Sequence, residues 1–306
     1  MRISSNTMYM QSLQAMLQRQ TELSRTSEQM SSGVKFSRAG QDPAAATAAQ
    51  QLDHALASLE QHGKNANTLE HRLQLQEHAI TDAGDRLSRV RDLVIGANNG
   101  AMSDHDRAMS AIEIRQIREE LVSIANREDG AGRALFAGTR DDGAPFILDG
   151  NGVTYAGNDG RNTVEVAPGL AVADTDPGST VFGRMPSADG GERDVFATLA
   201  AIADALETPR DQHANPDVLQ GLQADLDGAQ EHLRALRAGT GARLATLEHA
   251  AESRGASEVA LKATLSDLRD TDYAEAATRF SQQLTALESA QLVASRLQGL
   301  SLFNKL

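Results

Sequence analysis

The residues that could do chemistry are easily found, and they fail one by one. Gly239-Thr240-Gly241 has the glycines of a phosphate loop, but no Lys-Ser/Thr pair follows at the spacing a Walker motif needs. Asp149-Gly150-Asn151-Gly152 has the acidic character of a calcium loop. It lacks the Asp/Asn pattern and closing Glu of an EF-hand and reads as a hairpin turn. His71 and His78, seven residues apart on a helix, are separated by about 10 Å along its axis, too far to share one metal. Asp104-His105-Asp106 opens a helix, where acids stabilise the free amides. Ser, His and Asp are plentiful but scattered over polar faces, and a solvated surface explains them better than a triad. Cysteine is absent, which excludes thiol catalysis, disulfides and Cys-ligated metal. The reading is no catalytic residue, no cofactor and no metal: not an enzyme.

What the elements must position is therefore a surface rather than a reaction. Of 306 residues 40% are apolar, yet only 3% are aromatic and none is Trp. Compact cores use more rings, so this composition predicts elongated helix packing on Leu, Ile and Ala. A net charge of −13 argues against nucleic acid as a partner. No run of about 18 apolar residues exists, so no membrane insertion is expected. Met1-Arg2-Ile3-Ser4-Ser5-Asn6 lacks the apolar core of a Sec signal peptide, so a route out of the cell would be a different one. The lack of cysteine suits a chain that must stay uncrosslinked in transit.

The two ends carry matching stripes. Near the N-terminus Tyr9, Met16, Leu23 and Met30 fall seven apart, thickened by Met10, Leu13 and Leu17. Near the C-terminus Tyr273, Ala277, Phe280, Leu284, Leu287, Ala294, Leu297 and Leu300 follow at spacings of three, four or seven. Ordering such a segment costs more than so narrow a stripe returns, because isolated helices are marginal in water. Each end needs a partner, and two amphipathic helices at the extremes are expected to lie side by side.

Between them the first helix breaks at Ser32-Gly33, and Asp42-Pro43 starts the next with Asp at the N-cap and Pro at the first position. The segment 1–40 sets Arg2, Arg19, Arg25, Lys35 and Arg38 against Glu22 and Glu28, a net of +3. Leu52, Leu59, Ala66, Leu73, Ile80, Leu87 and Val94 then repeat at seven, with Ala55, Leu69, Ala83, Val90 and Ala97 three residues on. His62 and Gln76 interrupt that second row. Such heptads predict a coiled-coil-like helix of about 80 Å. Asn98-Asn99-Gly100 turns the chain, Ser103 or Asp104 caps the next helix, and Asp129-Gly130 ends it, giving an antiparallel hairpin.

Pro145, Pro168, Pro177 and Pro186 mark a change of texture, with alternating runs at Val153-Thr154-Tyr155 and 162–166. Helix resumes from about Arg193 to Glu207 and again after Asn215-Pro216. There Leu219, Leu226, Leu233, Thr240, Leu247, Arg254, Leu261 and Leu268 keep the seven-residue spacing, and Gly239, Gly241 and Gly255 are places to bend. The expected fold is mainly α: an elongated rod of long antiparallel coiled-coil-like helices, termini paired, with a small β-rich insert. Its segments are 1–40, 41–140, 141–191 (the insert), 192–270 and 271–306.

Several stretches are similar to the bacterial flagellins, and within them to the members at the hook-filament junction. The resemblance is carried by Met1-Arg2-Ile3-Ser4, by Ser31-Ser32-Gly33 followed by Gln41-Asp42-Pro43-Ala44, with Gln41 where the family has Asp, and by the turn 130–138 (Gly-Ala-Gly-Arg-Ala-Leu-Phe-Ala-Gly). Asp272-Tyr273-Ala274-Glu275-Ala276 and the ending 300–306 (Leu-Ser-Leu-Phe-Asn-Lys-Leu) complete it. It implies an exported structural protein of the extracellular flagellum, passed through the flagellar type III channel. Implied partners are copies of itself in a ring, the first hook-associated protein, flagellin and a flagellar export chaperone. The candidate assembly interface is Tyr9, Leu13, Met16, Leu23 and Met30 with Tyr273, Phe280, Leu284, Leu287, Leu297 and Leu300. Its helices are expected to stay loose until neighbouring subunits cover them. Leu87–Leu93 resembles a flagellin segment recognised by an innate immune receptor, through Arg89 and Leu93; a charged surface with Leu87 and Val90 in the seam is the plainer reading. Two alternatives stand beside this: filament flagellin itself, and a secreted hydrolase with its site in the insert.

Overall fold

A computed structural model describes residues 2–140, 143–150, 152–187, 190–209 and 218–303. Its elements in chain order are helices α1 (Arg2–Ser32), α2 (Pro43–Ala97) and α3 (Asp104–Ala125), then strands β1 (Phe146–Asp149), β2 (Gly152–Tyr155), β3 (Thr163–Ala167) and β4 (Leu170–Ala173). A π-helical turn (Ser179–Gly183), β5 (Met185–Pro186), β6 (Glu192–Arg193), α4 (Val195–Glu207), α5 (Val218–Arg269) and α6 (Tyr273–Phe303) follow. The chain divides into unit 1, residues 1–58 with 256–306, and unit 2, residues 59–255. The expected turn residue Asn151, the break Asn215-Pro216, the first residues of the insert, Asp141 and Asp142, and residues 304–306 of the tail lie outside the described residues.

Helix starts follow side-chain chemistry. Asp42 Oδ1 accepts the Ala45 N–H at 3.0 Å, and Ser103 Oγ accepts that of Asp106 at 3.2 Å while donating to its carboxylate at 2.7 Å. Asp194 Oδ1 accepts from Ala197 N at 2.6 Å and opens α4. Each side chain satisfies an amide that the first turn leaves without a partner.

In unit 2, α2 and α3 form the antiparallel hairpin the turn signals predict. Ion pairs Arg89–Glu113 (2.7 Å), Arg86–Glu120 (3.2 Å) and Asp82–Arg127 (2.5 Å) tie its length. The α2 positions Ala66, Leu73, Ile80, Leu87 and Val94 are all buried. So are Leu226, Leu233, Thr240 and Leu247 of α5, which runs antiparallel to α2 through Arg91–Asp227 (2.9 Å) and Glu77–Arg237 (3.3 Å). Gly239, Gly241 and Gly255 face outward within one unbroken α5. The burial of its other face outweighs the low helix propensity at these positions.

The insert is three two-stranded antiparallel hairpins, β1–β2, β3–β4 and β5–β6, the last ending at Arg193, two residues beyond Gly191. Scarce aromatics predict no ring-built core, and here the structure differs. Five of the ten aromatic residues (Phe136, Phe146, Tyr155, Phe182 and Phe196) gather where the insert meets the helices, with centroids 5.0–5.9 Å apart in the contacting pairs. Composition averages over the chain, whereas these rings are concentrated at one point of it. The turn 130–138 delivers Phe136 there. Gly138 has φ +74°, and a Cβ on it would lie 2.1 Å from the Asn158 carbonyl oxygen, so only glycine fits.

In unit 1, α1 and α6 pack against each other. The chain leaves α1 at Gly33 (φ +75°) and passes α5 as it ends. Lys35 N donates to Arg269 O at 2.7 Å and Thr271 N to Gly33 O at 2.9 Å, forming a short antiparallel bridge of Val34 with Asp270. Asp272 Oδ1 then accepts from Ala274 N (2.9 Å) and Glu275 N (3.1 Å) and starts α6.

Candidate assembly interface

The apolar stripes at the two ends place their residues on α1 and α6, each 31 residues long. Leu13, Met16, Leu23 and Met30 on α1, and Phe280 and Leu287 on α6, are half-buried, as expected of a seam between the two helices. Tyr9, Leu297 and Leu300 lie in these helices, but their side chains fall outside the described residues. The two ends lie side by side, as their stripes predict. A single chain supplies the partner, because the stripes face each other within unit 1.

That pairing leaves much uncovered. Among the described residues of α1 and α6, the buried ones are Thr26 and Ala276 alone. Tyr273 is 56% exposed, Leu284 41%, and Leu292 and Val293 55% each. Met10 and Leu17 are open too. Two long helices that share so thin a seam keep an apolar edge available to further chains.

The link between α1 and α2 is built by Gln41. Its Oε1 accepts from Ser37 N at 2.8 Å and Arg38 N at 3.3 Å, work that needs a carbonyl oxygen and not a charge. Glutamine in an aspartate's place therefore keeps the turn. Arg89 is exposed and paired with Glu113, and Leu93 is half-buried against the unit 2 core beside buried Leu87 and Val90. Arg89 thus ties α2 to α3, and Leu93 adds to the unit 2 core.

One cluster escaped the sequence reading altogether. Arg72, on α2, is buried and donates through Nε to Asp174 at 3.0 and 3.1 Å, and through Nη1 to Asp129 at 2.5 Å. Next to it Asp176 meets Arg161 and Arg243, and Gln76 reaches Asp176 and Thr240 at 2.7 and 3.1 Å. These partners lie some hundred residues apart in the chain, and no local spacing announces them. Asp174 and Asp176 thus hold the insert to the helices, while Asp159 is engaged within the insert by Ser179 and Arg184. A hydrolytic centre would need such groups free to converge on a substrate.

Burial works against the charged form of Asp129. The N–H groups of Arg133 and Ala131 (3.0 and 2.9 Å) and the Arg72 guanidinium outweigh that, and hold its carboxyl at about 2 against an ordinary 3.8. A depressed carboxylate contributes stability above its unfolded value and loses it as pH falls through its folded one. Unit 2 should therefore lose roughly 2 kcal/mol from this group between about pH 4 and pH 2. Urea midpoints across that range measure it, and in Asp129→Asn this part of the slope should vanish.

Three comparisons bear on these features. Residues 3–141 match the family described as bacterial flagellin N-terminal helical region, and residues 224–306 the bacterial flagellin C-terminal helical region. The flagellar hook-associated protein 3 of Escherichia coli (strain K12) is 29% identical over 317 residues, 99% of each chain. A flagellin of Bacillus subtilis (strain 168) is 28% identical over 297 residues, 95% of this chain and 94% of its own. The crystal structure of Xanthomonas campestris FlgL superposes with a TM-score of 0.60 at 28% identity, covering 70% of this chain and 99% of that one.

Proposed function

The chain belongs to the bacterial flagellin family, and from that premise we propose that it is the subunit joining the flagellar hook to the filament. It is a structural, non-enzymatic protein of the flagellum. The observation that carries the junction reading is the helix pair at the chain ends, α1 with α6, which leaves Met10, Leu17, Leu284, Leu292 and Val293 exposed along it. Support for the junction over the filament comes from similarity along 99% of a hook-associated protein 3 and from the matching opening and closing residues.

In this reading segments 1–40 and 271–306 are the assembly helices, and copies of the chain form a ring that covers their open edges. The first hook-associated protein contacts the ring on one side and flagellin on the other. Before that, the chain passes through the flagellar type III channel, and an export chaperone shields the same edge. The α1–α6 pair, with so little buried, is loose in the free subunit and gains its full order on assembly.

The test is the position of the labelled protein on intact flagella, expressed in place of the host's own copy. A single band of label at the hook end of the filament is expected. Label spread along the filament would make the chain a filament flagellin, and unlabelled flagella would end the reading.

A further inference from the structure

The heptad seams of α2 and α5 are both interrupted by polar residues. On α2 these are His62 and Gln76, and on α5 Thr240 and Arg254, fourteen residues apart in each helix (62 to 76, 240 to 254). Two antiparallel helices superpose both interruptions in one register only, and the structure adopts it. Gln76 Nε2 lies 3.1 Å from Thr240 Oγ1, and neither side chain has any exposed surface. Two heptads along, Arg254 Nε is 3.9 Å from where a Cβ on Gly63 would stand, next to His62. The layers on either side of Gln76–Thr240 are apolar, with Leu69 and Leu247 in one cluster, Ala83 and Leu233 in the other.

Sliding one helix by a heptad, about 10 Å, would set Gln76 against Leu233 or Leu247. Gln76 would then lose Thr240, and Asp176, which Gln76 holds from α2 and Arg243 from α5, could no longer bond to both, leaving buried polar groups unpaired. Leucine seams alone resist such a slip weakly, since each layer offers a similar side chain seven residues on. The insert uses the same layers. Gln76 Oε1 accepts the Asp176 N–H at 2.8 Å, Arg254 Nη1 donates to Val166 O at 2.8 Å, and His62 Nε2 lies 4.0 Å from Glu165 Oε1.

We infer that the layers Gln76–Thr240 and His62–Arg254 are a register lock: they fix how α2 lies along α5 in unit 2 and seat the insert on that alignment. Their contribution is to uniqueness, not to stability, as a buried polar residue does in other paired helices.

The chain has no cysteine, so introduced pairs report without interference. Glu77→Cys with Arg237→Cys samples the observed register, in which these side chains meet at 3.3 Å. Gly84→Cys or Glu70→Cys with Arg237→Cys samples a slip of one heptad in either direction. Treated with a thiol-to-thiol crosslinker about as long as that ion pair, the otherwise unaltered protein should join the first pair alone. In Gln76→Leu/Thr240→Leu the slipped pairs should rise to at least about a tenth of all crosslinks, while the melt stays cooperative. The swap Gln76→Thr/Thr240→Gln keeps the layer polar and should hold the observed register. The inference is overturned if the double-leucine protein crosslinks in the observed register alone. Loss of its cooperative melt would overturn it too, because the layer would then supply stability, and so would slipped crosslinks in the swap.

Discussion

Leu284→Asp should leave the free subunit's stability within about 0.5 kcal/mol of the parent and still abolish its incorporation into flagella. Leu284 is 41% exposed on α6, so in one chain its carboxylate would sit largely in water. In an assembly that covers the α1–α6 edge, the same carboxylate would be buried without a partner, and its desolvation opposes every subunit contact it enters. A loss of about 2–4 kcal/mol per contact is the size expected of a central interface residue. In the proposed ring the contact recurs in each subunit, so incorporation should fall by a factor of at least about a hundred. Leu287→Asp makes the instructive comparison. Leu287 is half-buried within the pair, so this variant should fail to incorporate and also loosen the free subunit's ends. Immunoblots of isolated flagella set against chemical melts of the purified proteins measure both. Normal incorporation of Leu284→Asp would remove the open edge from the argument.

Arg72→Ala should be the most damaging single truncation in unit 2, at about 3–5 kcal/mol, read as the shift of a urea unfolding midpoint. Arg72 is 7% exposed and binds two carboxylates that are themselves at most 8% exposed. Removing it leaves Asp174 without its bidentate partner in a place water barely reaches. Arg91→Ala is the control. Its pair with Asp227, at 2.9 Å, has side chains 46% and 45% exposed, where solvent screens the attraction, and its loss should stay under about 1 kcal/mol. Similar losses for both would mean that the buried cluster is no more than surface electrostatics.

The helices were legible wherever one residue's local chemistry decides. Asp42-Pro43 and Ser103 start α2 and α3 as their types predict, Gly33 stops α1, and the heptads are buried from Ala66 to Val94 on α2 and from Leu226 to Leu247 on α5. The pairing of the ends was legible too, because both stripes lacked any other cover. What stayed hidden depends on distance along the chain. Arg72 finds Asp174 a hundred residues away, and nothing around either residue marks the other. Gln76 and Thr240 read as defects in two separate seams until the helices lie side by side. The five-ring cluster was masked by a low average. Gln41 looked like a departure from the family pattern, yet its accepting oxygen is all that the turn uses.

The placement of the tyrosines has a practical consequence. With no tryptophan to drain their excitation, the chain's three tyrosines are its intrinsic fluorophores. Tyr155 belongs to unit 2, its hydroxyl 3.0 and 2.9 Å from the carbonyl oxygens of Phe136 and Asn158, while Tyr9 and Tyr273 ride on the terminal helices. Ultraviolet emission from the unmodified polypeptide therefore divides between unit 2 and the terminal helices, and the proposed assembly can be followed optically without attaching a dye.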